Sequence, residues 1–276
     1  MKRVPELPEV ESVRQGLEHL VVGKRIKAVN VLWDNIIKDP SVDTFKRQII
    51  GQRIESVGRR GKFLLFELTS DMLISHLRME GKFKVETSEA PLTKHTHVLF
   101  SLDDGTELRY LDVRKFGKMS LTPKLSAFEH PSLRDLGPEP FETSLTDDHL
   151  HRFLKKRQRS IKSCLLDQKM VTGIGNIYAD EILFRAKVHP ERQANTLTPD
   201  DIALLKEAIV SIMTQAVASG GTTIRTYANA YGQEGSYQSQ LKVYGKTGEP
   251  CPNCHTPFVK GKVAQRGTHY CPVCQT

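Results

Sequence analysis

The 276-residue sequence lacks any apolar run of the roughly 18 residues that a membrane-spanning helix needs. The apolar core of a signal peptide is also missing, because residues 4–11 mix prolines and glutamates with single aliphatic residues. There are no internal repeats and no low-complexity segments. These absences indicate a globular protein, and we expect it to be cytoplasmic and to have no membrane partner.

Cysteine is scarce and unevenly placed. Four of the five cysteines form two Cys-x-x-Cys pairs near the end of the chain, Cys251 with Cys254 and Cys271 with Cys274. Each pair lets two thiolates reach one ion, and two pairs complete a closed tetrahedral site. Two disulfides are the alternative, but no signal-peptide pattern supports a secreted protein. The spacing therefore predicts one structural zinc ion (Zn2+), with Cys164 left as a small core residue.

Acidic residues are outnumbered, 32 against 40 lysines and arginines, which leaves a formal net charge of +8. Basic clusters occur at residues 59–62, 114–117 and 155–159, and Arg266 lies with further lysines between the two cysteine pairs. Each cluster taken alone is typical of a solvated surface. Together with the predicted zinc hairpin they favour a polyanionic partner, namely nucleic acid.

Hydrophobic periodicity divides the chain into two parts with different secondary structure. A first helix, an extended segment at 25–33 and a short helical segment at 44–50 are followed by short strand-like segments at 53–57, 62–68, 72–77, 82–85, 97–102 and 107–112. Many short strands joined by close turns are typical of an antiparallel sandwich or barrel. Breaker residues at 137–140 indicate a linker, and helical periodicity follows, with helices predicted at 144–157, 160–167, 176–186 and 198–219.

The stretch PELPEVE, which begins at Pro5, has a structural and a chemical interpretation. Structurally, Pro8 fits a first helical turn and the glutamates favour the positive end of a helix. Chemically, a proline at a chain terminus is a secondary amine that can attack an aldehyde-like carbon, with Glu6 as general acid–base. Four residues precede Pro5 in the sequence, and its nitrogen is then a tertiary amide without a basic lone pair.

A glycine-rich turn, TGIGNIY at residues 172–178, precedes a predicted helix. Glycines at this position let backbone N–H groups approach an anion, and the helix dipole favours phosphate there. A plain tight turn between two helices has the same pattern. Asn176 is therefore either a helix cap or a phosphate contact.

The chain resembles the bacterial formamidopyrimidine-DNA glycosylase family, also called 8-oxoguanine DNA glycosylase/AP lyase, through an ordered set of motifs. They are PELPEVE, RRGKF, HLRMEG, DVRKFG, LGPEP, GIGNIY, GGTTIR, VYG and the terminal cysteine pairs, and they cover essentially the whole chain from Pro5. Endonuclease VIII-like enzymes share the architecture but begin with a PEGPE-type sequence. Leu7 therefore favours the formamidopyrimidine branch.

The resemblance implies an α+β fold. Its parts are an N-terminal antiparallel β-sandwich with a first helix, a helical helix–two-turns–helix domain and a C-terminal zinc-finger β-hairpin. The corresponding boundaries are 5–133 for the sandwich, 134–143 for the linker, 144–238 for the helical domain and 239–276 for the zinc finger. Residues 222–238 match the loop that folds over the flipped base.

The resemblance also implies a reaction and the residues that perform it. Pro5 corresponds to the nucleophile that attacks C1′ of the damaged nucleotide, and Glu6 to the general acid–base that assists sugar-ring opening. Lys62 corresponds to a lysine near the substrate phosphate, the proton donor for β-elimination. Arg266 corresponds to a zinc-finger arginine at the phosphate, linked to δ-elimination. The implied substrates are oxidised purines, 8-oxoguanine and formamidopyrimidines, and abasic sites in double-stranded DNA.

Further DNA contacts are implied by the resemblance at His95, Arg114, Arg157, Asn176, Met79 and Phe116. Of these, Met79, Arg114 and Phe116 match side chains that fill the space left by the flipped base, a wedge of the kind used by proteins that kink DNA. Asn176 matches a phosphate contact of the helix–two-turns–helix motif.

The family proline stands second in the translated chain, after the initiator methionine, whereas here it is fifth. One hypothesis is that Val4 is encoded by a GTG start codon, so that processing exposes Pro5. The alternative is that residues 1–4 are retained, which leaves a DNA-binding protein without lyase activity. An endonuclease VIII-like activity on oxidised pyrimidines is a third option. We expect a bacterial protein that is monomeric and associated with the nucleoid through DNA.

Overall fold

The computed structural model describes residues 4–222 and 235–276. The chain divides into two compact units. The first contains the described residues up to Asp135 together with Thr222 and Gly235, and the second contains Leu136–Gly221 and Ser236–Thr276. The predicted base-capping loop falls largely on residues 223–234, which lie outside the described residues.

The described residues of the first unit form two α-helices, two short 3-10 helices and nine strands, and the strands build two sheets. The α-helices are α1 (Leu7–Val21) and α2 (Val42–Ile49), and the strands are β1 (Ile26–Val31), β2 (Ile37–Asp39), β3 (Ile54–Arg60), β4 (Phe63–Leu68), β5 (Asp71–His76), β6 (Lys82–Thr87), β7 (Thr96–Leu102), β8 (Thr106–Leu111) and β9 (Lys118–Pro123). The sheets have the orders β1-β7-β8-β6 and β2-β9-β5-β4-β3, and only the short β2–β9 pair is parallel.

Both sheets and α1 contribute to one hydrophobic core, which includes Leu17, Phe66 and Phe100. Two sheets packed on a shared core form a sandwich, so the predicted sandwich is confirmed and the barrel alternative is wrong. All six predicted strands are present, the extended segment predicted at 25–33 is β1, and the helix predicted at 44–50 is α2. Strands β2 and β9 were not predicted, because β2 has only three residues and β9 directly follows the basic segment 114–117.

The second unit is helical and ends in a hairpin. Its helices are α3 (Asp147–Leu154), α4 (Ile161–Leu165), α5 (Asn176–Arg185) and α6 (Pro199–Ala218), and its strands are β10 (Val259–Val263) and β11 (Arg266–Tyr270). Thr198 caps α6 as predicted, since its hydroxyl accepts from the Asp201 N–H at 3.2 Å. The α+β fold class is confirmed. Within the two described stretches of chain, no helix is long and apolar enough to cross a bilayer.

Candidate functional site

The predicted nucleophile Pro5 and the predicted general acid–base Glu6 lie at the start of α1. Pro5 is buried, and Glu6 is the N-cap residue with only 3 % of its surface exposed. Glu6 and Glu9 form a capping box in which the Glu6 N–H donates to Glu9 Oε2 at 2.8 Å. The structure therefore holds the Glu6 carboxylate at the positive end of the α1 dipole, directly beside Pro5.

Glu9 is a second buried carboxylate that the sequence interpretation passed over. Its Oε1 accepts from the Thr222 N–H at 2.8 Å and from the Thr222 hydroxyl at 3.0 Å. Thr222 is the residue that precedes the segment outside the described residues. One side chain thus connects the N-cap of α1 to the start of the predicted base-capping loop. The only signal in the sequence is a glutamate three residues after Glu6, the spacing of a capping box.

Lys62 lies in the two-residue turn between β3 and β4. The Arg60–Phe63 pair closes the hairpin, and Gly61 has φ of +56°, the value that a type II′ turn requires at its first central residue. Phe63 lies opposite His76 on β5, and their rings meet edge-on with centroids 4.6 Å apart. The hairpin therefore brings the Lys62 cation close to His76.

His76 is largely buried next to two cations. Burial, together with the charges of Arg78 and Lys62, lowers the pKa of His76 from its ordinary value of 6.5 to about 3. The Arg78 N–H donates to His76 Nδ1 at 2.9 Å, so the neutral ring carries its proton on Nε2. No pattern in the sequence indicates that His76 is neutral.

The lowered pKa of His76 makes the free energy of unfolding depend on pH. Below pH 6.5 the unfolded chain binds a proton that the folded protein excludes, so stability is complete above pH 6.5 and falls as pH drops towards 3. We expect His76→Asn, which keeps an acceptor for the Arg78 N–H, to remove this part of the decline. Between about pH 7 and about pH 5 the free energy of unfolding, measured with urea, should fall by about 2 kcal/mol less in the variant than in the parent. Equal losses in the two proteins would contradict the assignment.

Three side chains predicted to fill the space of a flipped base lie together in the first unit. Met79 Sδ accepts from Arg114 Nη1 at 2.9 Å, and the Arg114 guanidinium lies over the Phe116 ring, 4.6 Å from its centroid. The Phe116 side chain is 47 % exposed. We call this group the Met79–Arg114–Phe116 cluster. It presents an apolar and cationic surface, although its members come from two motifs 35 residues apart.

The loop that carries Arg114 and Phe116 is held from beneath by a buried carboxylate. Asp112 Oδ1 accepts from the Arg114 N–H at 2.9 Å, and Oδ2 accepts from the Phe116 and Gly117 N–H groups at 2.9 and 2.8 Å. The Asp112 N–H donates to the carbonyl of His95 at 2.9 Å. The predicted contact residue His95 is therefore joined, through its backbone, to the base of this loop.

The glycine-rich turn of the second unit is ordered by one amide side chain. Gln168 Oε1 accepts from the Gly173 N–H at 2.9 Å, and Gln168 Nε2 donates to the carbonyls of Leu166 and Ile174 at 3.0 Å. Gly173 has φ of +93°, which favours glycine there. The turn delivers the chain to Gly175, the N-cap residue of α5. Asn176 is therefore the first residue of the helix, and the interpretation of Asn176 as the cap is wrong.

Asn176 and Lys162 bind the same carbonyl of the zinc hairpin. Asn176 Nδ2 donates to the Gly267 carbonyl at 3.0 Å, and Lys162 Nζ donates to it at 3.3 Å. Lys162 also pairs with Asp180 Oδ1 at 2.6 Å and donates to the Thr268 hydroxyl at 2.7 Å. The Lys162 and Asp180 side chains are completely buried. This network fixes the backbone immediately after Arg266.

Arg266 itself is exposed at the start of β11. It pairs with Val263 across a two-residue turn, Ala264-Gln265, in which both residues have positive φ, +49° and +61°. Arg157, the other predicted arginine of this unit, lies over the Phe153 ring at 3.4 Å and donates to the Phe153 carbonyl. The structure thus places Arg266 beside the Asn176 network and directs Arg157, which follows the end of α3, back onto that helix.

Four cysteines form the zinc centre of the second unit. A tetrahedral zinc with bonds of about 2.3 Å holds its sulfurs about 3.8 Å apart. The Sγ atoms of Cys251 and Cys274 are 3.8 Å apart, those of Cys254 and Cys271 are 3.5 Å apart, and all four lie within 4.8 Å of one another. The residues therefore fit one structural zinc ion, as predicted.

The zinc centre packs on α5. Phe184 of that helix meets Phe258 of the finger edge-on, with ring centroids 5.3 Å apart, beside the buried Cys251 and Cys271. Glu181 accepts from the N–H groups of Lys242, Val243 and Tyr244 at 2.8 to 3.0 Å. Burial raises the pKa of Glu181 in spite of these three bonds.

Three family models match the chain in order. Residues 4–119 match the formamidopyrimidine-DNA glycosylase N-terminal domain, residues 136–228 match the formamidopyrimidine-DNA glycosylase H2TH domain, and residues 248–276 match a zinc finger found in FPG and IleRS. Together these models cover most of the sequence. The chain belongs to the formamidopyrimidine-DNA glycosylase family.

Curated relatives and solved structures agree with membership of the formamidopyrimidine-DNA glycosylase family. The chain is 55 % identical to formamidopyrimidine-DNA glycosylase of Enterococcus faecalis over 272 residues, with 99 % of this chain and 97 % of the relative covered. It is 54 % identical to the Listeria innocua enzyme, with 99 % and 100 % covered.

Solved structures of the family superpose over nearly the whole chain. A complex of Lactococcus lactis Fpg with abasic-site DNA has a TM-score of 0.91 at 41 % identity, with 98 % of this chain and 99 % of that chain covered. A complex of MutM with DNA containing carbocyclic 8-oxo-G has a TM-score of 0.92 at 41 % identity, with 99 % and 100 % covered.

Proposed function

We propose that this DNA repair glycosylase excises oxidised purines, 8-oxoguanine and formamidopyrimidines, from double-stranded DNA and then cleaves the strand at the abasic site. The observation that carries the proposal is the position of Glu6, buried at the N-cap of α1 directly beside Pro5. Structures of relatives contain abasic-site DNA and DNA with an 8-oxo-G analogue, which supports the same substrate class here.

The proposed chemistry starts from Pro5 as a free N-terminal secondary amine. Its nitrogen attacks C1′, the bond from C1′ to the base nitrogen breaks, and the oxidised purine leaves with the electron pair of that bond. The Pro5 nitrogen then loses its proton, Glu6 delivers a proton to O4′, and the C1′–O4′ bond breaks, which opens the sugar ring and leaves a charged imine (iminium ion) at C1′. The resulting imine acidifies the C2′ proton. Loss of that proton breaks the C3′–O bond (β-elimination), and a second elimination breaks the C5′–O bond (δ-elimination).

Lys62 and Arg266 are proposed to act at the phosphates on which these eliminations depend. Lys62 lies in a tight turn whose backbone is set by Gly61, and it supplies the proton for β-elimination. Arg266 follows a two-residue turn and is exposed, as an arginine that binds phosphate and promotes δ-elimination must be. The zinc ion holds the Arg266 hairpin and takes no part in the chemistry.

The remaining predicted residues are proposed to bind DNA without reading its sequence. The Met79–Arg114–Phe116 cluster would fill the space left by the flipped base, and Asn176 would bind a phosphate near the start of α5. His95 and Arg157 are further proposed contacts. The monomeric state, the cytoplasmic location and the boundaries 5–133, 134–143, 144–238 and 239–276 stay predictions.

The experiment that tests this function replaces Glu6 by an uncharged isostere. We expect Glu6→Gln to lose base excision by about 100-fold or more, because the amide cannot transfer the proton that ring opening needs. Single-turnover excision from an 8-oxoguanine duplex measures the loss, and binding to the same duplex should survive. Excision by the variant at the parental rate would refute the role of Glu6. Parallel assays on an oxidised pyrimidine duplex separate this function from the endonuclease VIII-like alternative.

A further inference from the structure

Tyr110 lies beneath two loops that come from different motifs. It belongs to β8, is completely buried, and meets Phe83 edge-on with ring centroids 5.1 Å apart. One of the loops, residues 77–81, carries Met79, and the other, residues 112–117, carries the remaining members of the Met79–Arg114–Phe116 cluster. The ring is therefore anchored in the sandwich core while its hydroxyl reaches the loops.

Gly81 and Gly117 have no side chain, and the space that a side chain would take is occupied by the Tyr110 hydroxyl. A Cβ atom added to Gly117 would lie 1.6 Å from Tyr110 Oη, and one added to Gly81 would lie 2.1 Å from it. Real side chains do not approach so closely. Neither glycine has a positive φ, so a left-handed backbone does not explain the residue type at either position. The close approach of the hydroxyl group explains the glycine at position 117. At Gly81 the hydroxyl and the Leu77 carbonyl oxygen, 2.6 Å from the added Cβ, both exclude a side chain.

The hydroxyl also lies beside the carboxylate that holds the second loop. Burial and the neighbouring Asp112 carboxylate raise the pKa of Tyr110 well above its ordinary value of 10, so the hydroxyl keeps its proton. Asp112 binds the N–H groups of Arg114, Phe116 and Gly117. The first loop is closed by the Gly81 N–H, which donates to the Leu77 carbonyl at 3.0 Å. One oxygen atom thus touches the backbone frame of both loops.

We infer that Tyr110 is a positioning residue that sets the spacing between the two loops, so that Met79 and Phe116 enter the DNA stack as one unit. On the solvent-exposed surface, the Arg114 side chain contacts both Met79 and Phe116. A flexible exposed side chain restrains such a pair weakly, whereas a close-packed buried contact transmits displacement directly. The inference rests on the proposed function, because it assigns the cluster to base extrusion.

The test loosens the contact between Tyr110 and the two loops in one variant and overfills it in another. Tyr110→Phe removes only the hydroxyl, Gly117→Ala fills its place, and Gly58→Ala is the matched control because its added Cβ would lie 3.8 Å from the nearest atom. Single-turnover excision from an 8-oxoguanine duplex should fall about ten-fold in Tyr110→Phe and about 100-fold in Gly117→Ala. Cleavage of a single-stranded abasic oligonucleotide, which has no stack to fill, should stay within about two-fold of the parent in both variants.

A second readout does not depend on chemistry. 2-Aminopurine beside an uncleavable tetrahydrofuran abasic analogue reports unstacking by its fluorescence, and the rise on binding should be smaller in both variants than in Gly58→Ala. A parallel loss in both cleavage reactions, or an unchanged fluorescence rise, would show that Tyr110 only stabilises the fold and would overturn the inference. A parent that binds the analogue but cleaves neither substrate would refute the proposed function, while the fluorescence comparison would still decide the role of Tyr110.

Discussion

Protein that begins at Pro5 is expected to form a covalent complex with abasic DNA on addition of borohydride, and protein that retains residues 1–4 is not. In the first, the Pro5 nitrogen is a secondary amine with a basic lone pair. In the second, it is an amide. Because the reaction has no other proposed nucleophile, we expect strand cleavage to fall by more than about 1,000-fold in the longer protein.

The comparison is made with two preparations of one chain whose N-termini are established by intact mass and N-terminal sequencing. Both should bind a tetrahydrofuran duplex, and this binding is the control for folding and for DNA contacts. Equal trapping of the two proteins would contradict Pro5 as the nucleophile. Native protein found to retain residues 1–4 would favour the DNA-binding protein without lyase activity.

Replacement of Lys162 by methionine is expected to lower the free energy of unfolding of the second unit by about 3–5 kcal/mol. The pair of Lys162 with Asp180 is completely buried, so the substitution leaves a buried carboxylate without its cation. The matched control is Arg185→Met, because the Arg185–Glu207 pair in the same unit is exposed, at 44 % and 65 %. That change should cost less than about 1 kcal/mol.

The two units can be observed separately in this experiment. The single tryptophan, Trp33, lies in the first unit, so its emission reports that unit, whereas most of the α-helical residues that give the far-ultraviolet circular dichroism signal lie in the second. Hydrogen exchange at His269, whose N–H donates to Asp180 at 2.8 Å, should accelerate in Lys162→Met. We also expect less δ-elimination relative to β-elimination, because Arg266 directly precedes the loosened backbone. An unchanged exchange rate at His269 would contradict the network.

The spacing of residues within short stretches of the sequence was sufficient to predict the zinc site and much of the secondary structure. The two Cys-x-x-Cys pairs predict a zinc site because each pair brings two sulfurs to one ion without reference to the rest of the fold. Alternation and turn residues predict six strands of the sandwich, and Thr198-Pro199 predicts the start of α6. The ordered motifs identify the family. These features lie within a few residues of one another along the chain, so the sequence carries them directly.

The residues that hold the site in place were not predicted. In the sequence, Lys162 resembles the other cations of a basic stretch. In the structure it is completely buried and donates to Thr268, 106 residues away. Glu9 reads as a helix-start glutamate, but it accepts two hydrogen bonds from Thr222, 213 residues away. Neither sequence spacing nor residue type indicates such a partner.

The sequence by itself determined the metal ligands through the short-range spacing of the cysteines, and it determined the family and the fold class through its ordered motifs. The catalytic residues that the resemblance implies stay predictions. Only the tertiary structure decided that His76 is neutral, that Tyr110 lies against Gly81 and Gly117, and that Asn176 bonds the zinc hairpin. A pKa depends on the burial and charges that packing creates, and a close contact depends on which distant segments meet. Both arise only when the chain is folded.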